Sequence, residues 1–331
     1  MNNRTKLLKD EKVQWKTLGE VAELKRGTTI TAKSKTEGNI PVISGGQKPA
    51  YYNGEFNRDG ETITVAGSGA YAGFVMYWNE PIFVSDAFSI KANQEIVLPR
   101  YIYHFLLSIQ SQIHDLKSGG GVPHVYAKDV ARFKIPIPPL HIQQEIVAIL
   151  DKFTELTAEL TAELTARKKQ YDYYREQLLS VDDKGLMNGV KAEWKTLGEV
   201  VIFQRGKRLV KSQLEETGKY AVYQNAMTPL GYYHESNVKA NSTFIICAGA
   251  AGEIGFSDVE YWAADDVHYC ITPENINNKY LYYFLQTQRN RILSQVRRAS
   301  VPRLSKSVLE KLKIPIPPLS EQERIVAILD K

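Results

Sequence analysis

Trp15-Lys-Thr-Leu-Gly-Glu-Val21 and Lys134-Ile-Pro-Ile-Pro-Pro-Leu140 decide how this chain is built, because each occurs twice. The first returns unchanged at Trp194–Val200 and the second at Lys313–Leu319, so both recur 179 positions later (15 and 194; 134 and 313). The same register pairs Arg26-Gly27 with Arg205-Gly206, Arg100-Tyr101 with Lys279-Tyr280, and Val122-Pro123 with Val301-Pro302. Val147–Lys152, which follows the first proline cassette, reappears as Val326–Lys331. Two units of this length make a tandem pair of domains, since a solenoid has shorter and more numerous repeats. Duplication alone accounts for a repeat. Function enters through contrast: unchanging ends point to a shared structural role, and divergent interiors to two ligands or two variants of one.

The 331 residues suffice for two domains with their own cores, and 43% hydrophobic with 24% charged residues is a globular composition. Two cysteines, Cys247 and Cys270, are too few for a disulfide framework or a four-ligand zinc site, which fits a reducing, cytoplasmic compartment. Met1 to Lys12 is charged, and no stretch nears the roughly 20 apolar residues of a membrane span, so no export signal or membrane association is expected. A net charge of +5 leans towards an acidic partner but carries little weight alone.

Thr62–Ala66 and Phe74–Trp78 read as strands flanking a glycine-rich turn, Gly67–Gly73, and Thr243–Cys247 with Ala248–Gly255 repeats the pattern. Tyr101–Leu107 and Tyr280–Leu285 open helices, so each module belongs to the α/β class, of the mixed α+β kind. After the prolines at 136, 138 and 139, no proline or glycine follows until Gly185, which predicts one helix from about His141 to Ser180. Along it Phe153, Leu156, Leu160, Leu164, Arg167, Tyr171, Tyr174 and Leu178 form a coiled-coil seam that needs a partner helix. Thr157-Ala-Glu-Leu160 is repeated at once as Thr161–Leu164. The expected organisation is a first module over 1–140, a helix over 141–184, a second module over 185–319, and the start of a second helix over 320–331.

Catalytic signatures are wanting. There is no Gly-x-x-x-x-Gly-Lys-Ser/Thr loop, no His-Glu-x-x-His pair and no Gly-x-Ser-x-Gly elbow, and the Gly67–Gly73 turn has neither the spacing nor the following helix of a nucleotide cradle. Neither Pro-Pro pair follows Asn or Asp and precedes an aromatic, as amino-methyltransferase loops require. Those prolines read as ending a strand and aiming a helix.

The cassettes, the segments Gln144-Glu145 and Glu321-Gln322 after them, and Ile149-Leu-Asp-Lys-Phe153 entering a helix together resemble the specificity subunit of bacterial type I restriction-modification enzymes. The Thr-Ala-Glu-Leu repeats and Arg167-Lys-Lys-Gln-Tyr-Asp-Tyr-Tyr-Arg175 resemble the central helix of its IC-type members. The resemblance covers nearly the whole chain. It implies two target-recognition domains related by pseudo-symmetry, each reading half of an interrupted target in double-stranded DNA. It also implies docking of two methyltransferase subunits and of restriction motor subunits, which would hold the S-adenosylmethionine and the ATP with magnesium, leaving no cofactor in this chain. The family pattern has a second long helix after the second module, so a missing second conserved helix is expected. One four-residue repeat lengthens a helix by about 6 Å and turns it roughly 40° net, against about 3.4 Å and 35° per base pair. A repeat therefore shifts the target spacer by one base pair only with some bending.

Reading sequence requires side chains at base edges, while cations and free amides position phosphates. Three kinds of segment supply them. Lys25 and Arg26, with Arg205, Lys207 and Arg208, flank a flexible glycine after each opening cassette. Gln47 and Lys48, with Gln224 and Asn225, link strands. Lys117 and His124, with Arg297, Arg298 and Arg303, lie in loops before a helix signal, where amides can face phosphate. Tyr51, Tyr52, Tyr232 and Tyr233 are candidates for stacking, although such aromatic pairs are more often core. A coiled-coil scaffold binding proteins is the alternative. It explains the helix but not the divergent, arginine-bearing loops at corresponding places.

Overall fold

The computed structural model describes residues 13–31 and 33–331, so the charged stretch Met1 to Lys12 lies outside them. The first module runs β1 (Gln14–Thr17), α1 (Leu18–Val21), β2 (Ala22–Arg26), β3 (Ile40–Ile43), β4 (Tyr51–Asn53), β5 (Thr62–Ala66), β6 (Val75–Trp78), β7 (Phe83–Val84) and β8 (Ala87–Ala92). It continues with α2 (Pro99–Ser108), α3 (Gln110–Asp115), α4 (Ala127–Val130) and β9 (Lys134–Ile137), before α5 (Leu140–Leu178). A hairpin, β10 (Leu186–Met187) and β11 (Val190–Lys191), opens the second module. Then come β12 (Glu193–Thr196), α6 (Leu197–Val200), β13 (Ile202–Arg205), β14 (Tyr220–Tyr223), β15 (Gly231–Tyr233), β16 (Ser242–Ile246), β17 (Ile254–Ser257), β18 (Trp262–Ala263) and β19 (Val267–Ile271). It closes with α7 (Asn278–Thr287), α8 (Arg289–Ser294), α9 (Lys306–Glu310), β20 (Lys313–Ile316) and α10 (Leu319–Leu329).

Both modules have one topology. A four-stranded antiparallel sheet, β2-β8-β5-β6 or β13-β19-β16-β17, stands beside a three-stranded sheet, β4-β3-β7 or β15-β14-β18. β5 is buried along its whole length because both faces are covered. Ile63 and Val65 enter the core with Ile102 and Leu106 of α2, while Thr64, alternating to the other face, accepts the Trp78 indole N–H at 2.9 Å.

The repeated cassettes are each other's partners. β1 pairs antiparallel with β9 and β12 with β20, placing Trp15 opposite Pro136 and Trp194 opposite Pro315. A two-stranded ribbon tolerates the prolines because its outer edge needs no amide. In each opening cassette the glutamate accepts from the backbone N–H and hydroxyl of the threonine three residues earlier: Glu20 from Thr17, both at 2.6 Å, and Glu199 from Thr196 at 2.6 and 2.7 Å. These bonds hold both carboxyls below the usual range.

The proline cassettes launch helices through a glutamine. Gln143 is fully buried; its Oε1 accepts from Leu98 N at 2.9 Å, and its Nε2 donates to the Ile96 and Pro138 carbonyls at 3.0 and 2.8 Å. Gln322 repeats the lock with Asn277 N and the Asn275 and Pro317 carbonyls at 2.9, 3.0 and 2.9 Å. Two turns further on, Asp151 accepts from Arg100 Nε at 2.8 Å and lies 2.7 Å from His104 Nε2. Its counterpart Asp330 accepts from Lys279 Nζ at 2.7 Å and the Tyr283 hydroxyl at 2.5 Å.

α5 is the long helix expected from about 141 to 180; at 39 residues it extends about 58 Å. The chain divides into two compact units within it, between Ala162 and Glu163. Its threonines bond back to the preceding turn, Thr154 to Leu150 O at 2.9 Å and Thr157 to Phe153 O at 2.7 Å, which satisfies the hydroxyls on an exposed surface. Of the seam, Phe153, Leu156, Leu160, Leu164, Arg167, Tyr171 and Tyr174 are exposed. Tyr171 lies beside Tyr283, and Leu178 packs on the core of the second unit.

Candidate nucleic-acid interface

In the first module, chain crossings bring separated segments together at one edge of the module, where β5 and β2 end and β8 begins. The glycine turn after β5 bonds to the start of β8 through Gly67 N and Asp86 O, at 3.1 Å. Residues 118–124 form a hairpin closed by Ser118 N to His124 O at 3.0 Å and His124 N to Ser118 O at 2.9 Å. That hairpin docks on the glycine turn through Gly69 N to Pro123 O and Val125 N to Gly67 O, both 3.0 Å. Arg26, at the end of β2 opposite Phe88, completes a cleft lined by Gly67, Asp86, Ala87, Phe88, His124 and Tyr126. The Ser68 hydroxyl bonds the Asp86 carboxylate, and the His124 ring stacks on Tyr126 at 6.1 Å and 17°. The loop after β3 reaches the same turn, since a Cβ on Gly45 would meet the Ser68 carbonyl at 2.5 Å.

The second module repeats these main-chain bonds: Cys247 N to Asp266 O at 2.7 Å, Arg297 N to Arg303 O at 2.9 Å, Arg303 N to Arg297 O at 3.0 Å, Gly249 N to Pro302 O at 3.1 Å and Leu304 N to Cys247 O at 2.9 Å. The loop after β14 joins through Ala250 N to Asn225 O at 2.9 Å. Arg297, Arg298 and Arg303 are exposed here, while Arg205 donates from Nε to the Asp265 carbonyl at 2.7 Å. Beneath the turn, Cys247 is buried with its thiol pushed up to about 12 by desolvation, and His268 Nδ1 lies 2.8 Å from its sulfur. Desolvation also lowers the His268 pKa. This pair is packing inside the sheet.

Arg26, His124, Arg205, Arg297, Arg298, Arg303 and the loops holding Gln47, Lys48, Gln224 and Asn225 are thus gathered at equivalent edges. Lys117 borders its edge, donating to the Ala70 carbonyl at 3.1 Å. Lys25 is not in the cleft; strand alternation turns it to a polar depression with Glu23, Asn57, Arg58 and Lys91. Lys207 and Arg208 continue past the edge, the Lys207 carbonyl accepting the Trp262 indole N–H at 3.0 Å. Three expectations need correction. Gly27 and Gly206 are required for close packing rather than flexibility, since a Cβ would strike the Val84 and Ser85 or the Ala263 and Ala264 carbonyls. The amides of Ser118, His124, Arg297 and Arg303 are consumed by their hairpins and do not face outward for phosphate. Tyr52 and Tyr232 are exposed rather than core.

Sequence reasoning missed Ser68, Asp86 and Tyr126. For Asp86 a signal existed: Asp recurs as Asp266, just before strand β19 as Asp86 is just before β8. Among the described residues no cluster of His, Cys, Asp or Glu could hold a metal ion, and no helix is long and apolar enough to cross a membrane.

Tandem copies of an α/β module, each displaying variable loops on a constant frame, define a recognition protein. A family model described as the type I restriction modification DNA specificity domain matches residues 10–167 and 190–331. Over its whole length the chain is 32% identical to a Haemophilus influenzae protein described as a type I restriction enzyme specificity subunit, covering 91% of that protein. It is 30% identical, again over its whole length, to the Escherichia coli type I restriction enzyme EcoR124I/EcoR124II specificity subunit, covering 89% of it. The crystal structure of the type I restriction-modification S subunit from Mycoplasma genitalium shares the fold, with a TM-score of 0.71, 23% identity, and coverage of 97% of this chain and 90% of that one. The chain belongs to the type I restriction-modification DNA specificity family, and as a specificity subunit it is a recognition component, not a catalytic one.

Proposed function

We propose that each module reads one half of a bipartite DNA target with the loop edge described above, and that α5 sets the number of unread base pairs between the halves. The observation that supports this most is convergence. Segments about 20 to 100 residues apart in sequence meet at one end of the strands, at equivalent places in both modules, with main-chain bonds repeated and side chains changed. An edge of cations, side-chain amides and aromatic rings matches what phosphates and base edges offer.

We assign residues 1–140 to a first recognition domain, 141–184 to a connecting segment that carries α5, 185–319 to a second domain and 320–331 to the segment that carries α10. The open apolar row Phe153, Leu156, Leu160 and Leu164 offers protein partners a surface, and we assign it to docking of two methyltransferase subunits, with restriction motor subunits joining the complex. Those partners would carry S-adenosylmethionine and ATP with magnesium, and the complex would act in the cytoplasm. The test is binding of the full chain, alone and with a co-expressed modification subunit, to duplex DNA at 50 and 200 mM salt. With six to ten phosphate contacts, affinity falls about 10³- to 10⁵-fold over that range. Salt-independent binding, or none in either assembly, contradicts the proposal and favours a protein scaffold.

A further inference from the structure

The two clefts share a frame and differ in what lines it. Five bonds recur between the glycine turn, the strand start and the hairpin, all between main-chain atoms. Gly69 and Gly249, at φ 82° and 81°, give both turns the same left-handed bend. On this frame Ser68 is replaced by Ala248, His124 by Arg303 and Tyr126 by Ser305, whereas Asp86 is retained as Asp266 and Arg26 as Arg205. Retained groups cannot tell two half-sites apart; the replaced ones can.

We propose that positions 124 and 126, with their counterparts 303 and 305, determine which base pair each module accepts at this cleft, an assignment that rests on the DNA-reading role proposed above. In the second module Arg303 is exposed and, among the described residues, no hydrogen bond or ion pair engages its guanidinium, leaving the fork free to donate to two acceptors at once. Guanine is the base that presents two adjacent acceptors, O6 and N7, in the major groove. Ser305 is too short to crowd that approach. In the first module the same place holds a stacked imidazole and phenol, with Lys128 Nζ 5.6 Å from the phenol ring. That wall has no bidentate fork, while its ring faces suit the thymine methyl group. The first cleft therefore takes a thymine-bearing pair where the second takes guanine.

The test is selection from randomised duplexes with the full chain, alone and with a co-expressed modification subunit, for the wild type and three variants. The double substitution His124→Arg with Tyr126→Ser is expected to introduce guanine at one position of one half-site, leaving the other half-site and the spacer unchanged. The reciprocal Arg303→His with Ser305→Tyr removes a guanine from the other half-site. Arg303→Lys keeps the charge but loses the fork. Its preference for that guanine should drop about 5- to 140-fold while the salt slope holds. An unchanged consensus with uniformly weaker binding would place these side chains on phosphate and overturn the inference, leaving the DNA-reading role intact. If Arg303→Lys, the mildest of the three, retains full guanine preference, the inference also fails. A wild-type chain that selects no sequence defeats the underlying role as well.

Discussion

Replacing Gln143 by alanine should unlock α5 from the first module. In the folded chain this side chain satisfies one buried amide, Leu98 N, and two carbonyls, Ile96 O and Pro138 O, all within 3.0 Å. Truncation leaves those three groups without a partner in a site closed to solvent. An orphaned buried polar group costs about 1–3 kcal/mol. Some relaxation and water entry reduce the sum, so about 3–5 kcal/mol is the expected loss, a large part of a domain's typical 5–15 kcal/mol. At about 2–4 °C per kcal/mol for a unit of this size, the melting transition of the first unit falls by about 10 °C. Glutamate at 143 gives no rescue, because an ionised carboxylate has no donor for the two carbonyls. Thermal unfolding of the full chain reads the shift, and amide exchange locates it: faster at Leu98 and in the first turns of α5, with Asn277 and α10 protected. Gln322→Ala should show the converse. A shift under about 2 °C, or uniform exchange changes in both units, would refute the view that this glutamine joins proline cassette to helix.

Further outcomes follow from the same contacts. Arg297→Ala and Arg298→Ala should each lower the salt slope of DNA binding by about 0.9 if the lost cation touched one phosphate, as titration of affinity against salt will show. Deleting Thr161–Leu164 should shorten the unread spacer by about one base pair, and an unchanged spacer in methylation mapping removes the ruler role. Leu156→Lys with Leu160→Lys, on an exposed face, should leave the melting temperature within about 1 °C yet abolish co-purification with the modification subunit. The carboxyls tying helices to modules set an acid limit. Burial pushes Asp151 and Asp330 up, but bonds from His104 and Arg100, and from Lys279 and Tyr283, outweigh it and hold both below the usual range. Glu321 is lowered chiefly by its bond from Arg324. Folded values below unfolded ones mean stability that is present above about pH 4 and lost as pH falls through the folded values, so acid unfolding should begin below about pH 4. Asp151→Asn should flatten that dependence.

The frame was legible because its rules are local. Proline positions fixed where α5 starts, and its run free of glycine and proline fixed its length, so both ends fell within two residues of expectation. Repetition at a constant offset exposed the two modules, and the period-two pattern of Thr62–Ala66 identified a strand. The site was legible only in part. Arg26, His124 and Arg303 stood out as exposed polar residues in loops, but their meeting at one edge depends on pairings between segments distant in sequence. Lys25, one residue from Arg26, faces a different depression for the same reason that side chains alternate along any strand. Asp86 was marked only by its recurrence as Asp266, and Tyr126 by nothing local. Nothing in the sequence singled out Gln143, whose burial follows only from the docking of α5 beneath the loop before α2.

The central claim is that two modules read two half-sites at a distance set by α5. Methylome sequencing of cells expressing this chain with its cognate modification subunit tests it most directly. The expected result is one interrupted motif with two specific halves, in which the Arg303 variants alter one half alone and loss of one Thr-Ala-Glu-Leu repeat alters only the gap. A continuous motif, a single half-site, or methylation indifferent to both changes contradicts the account.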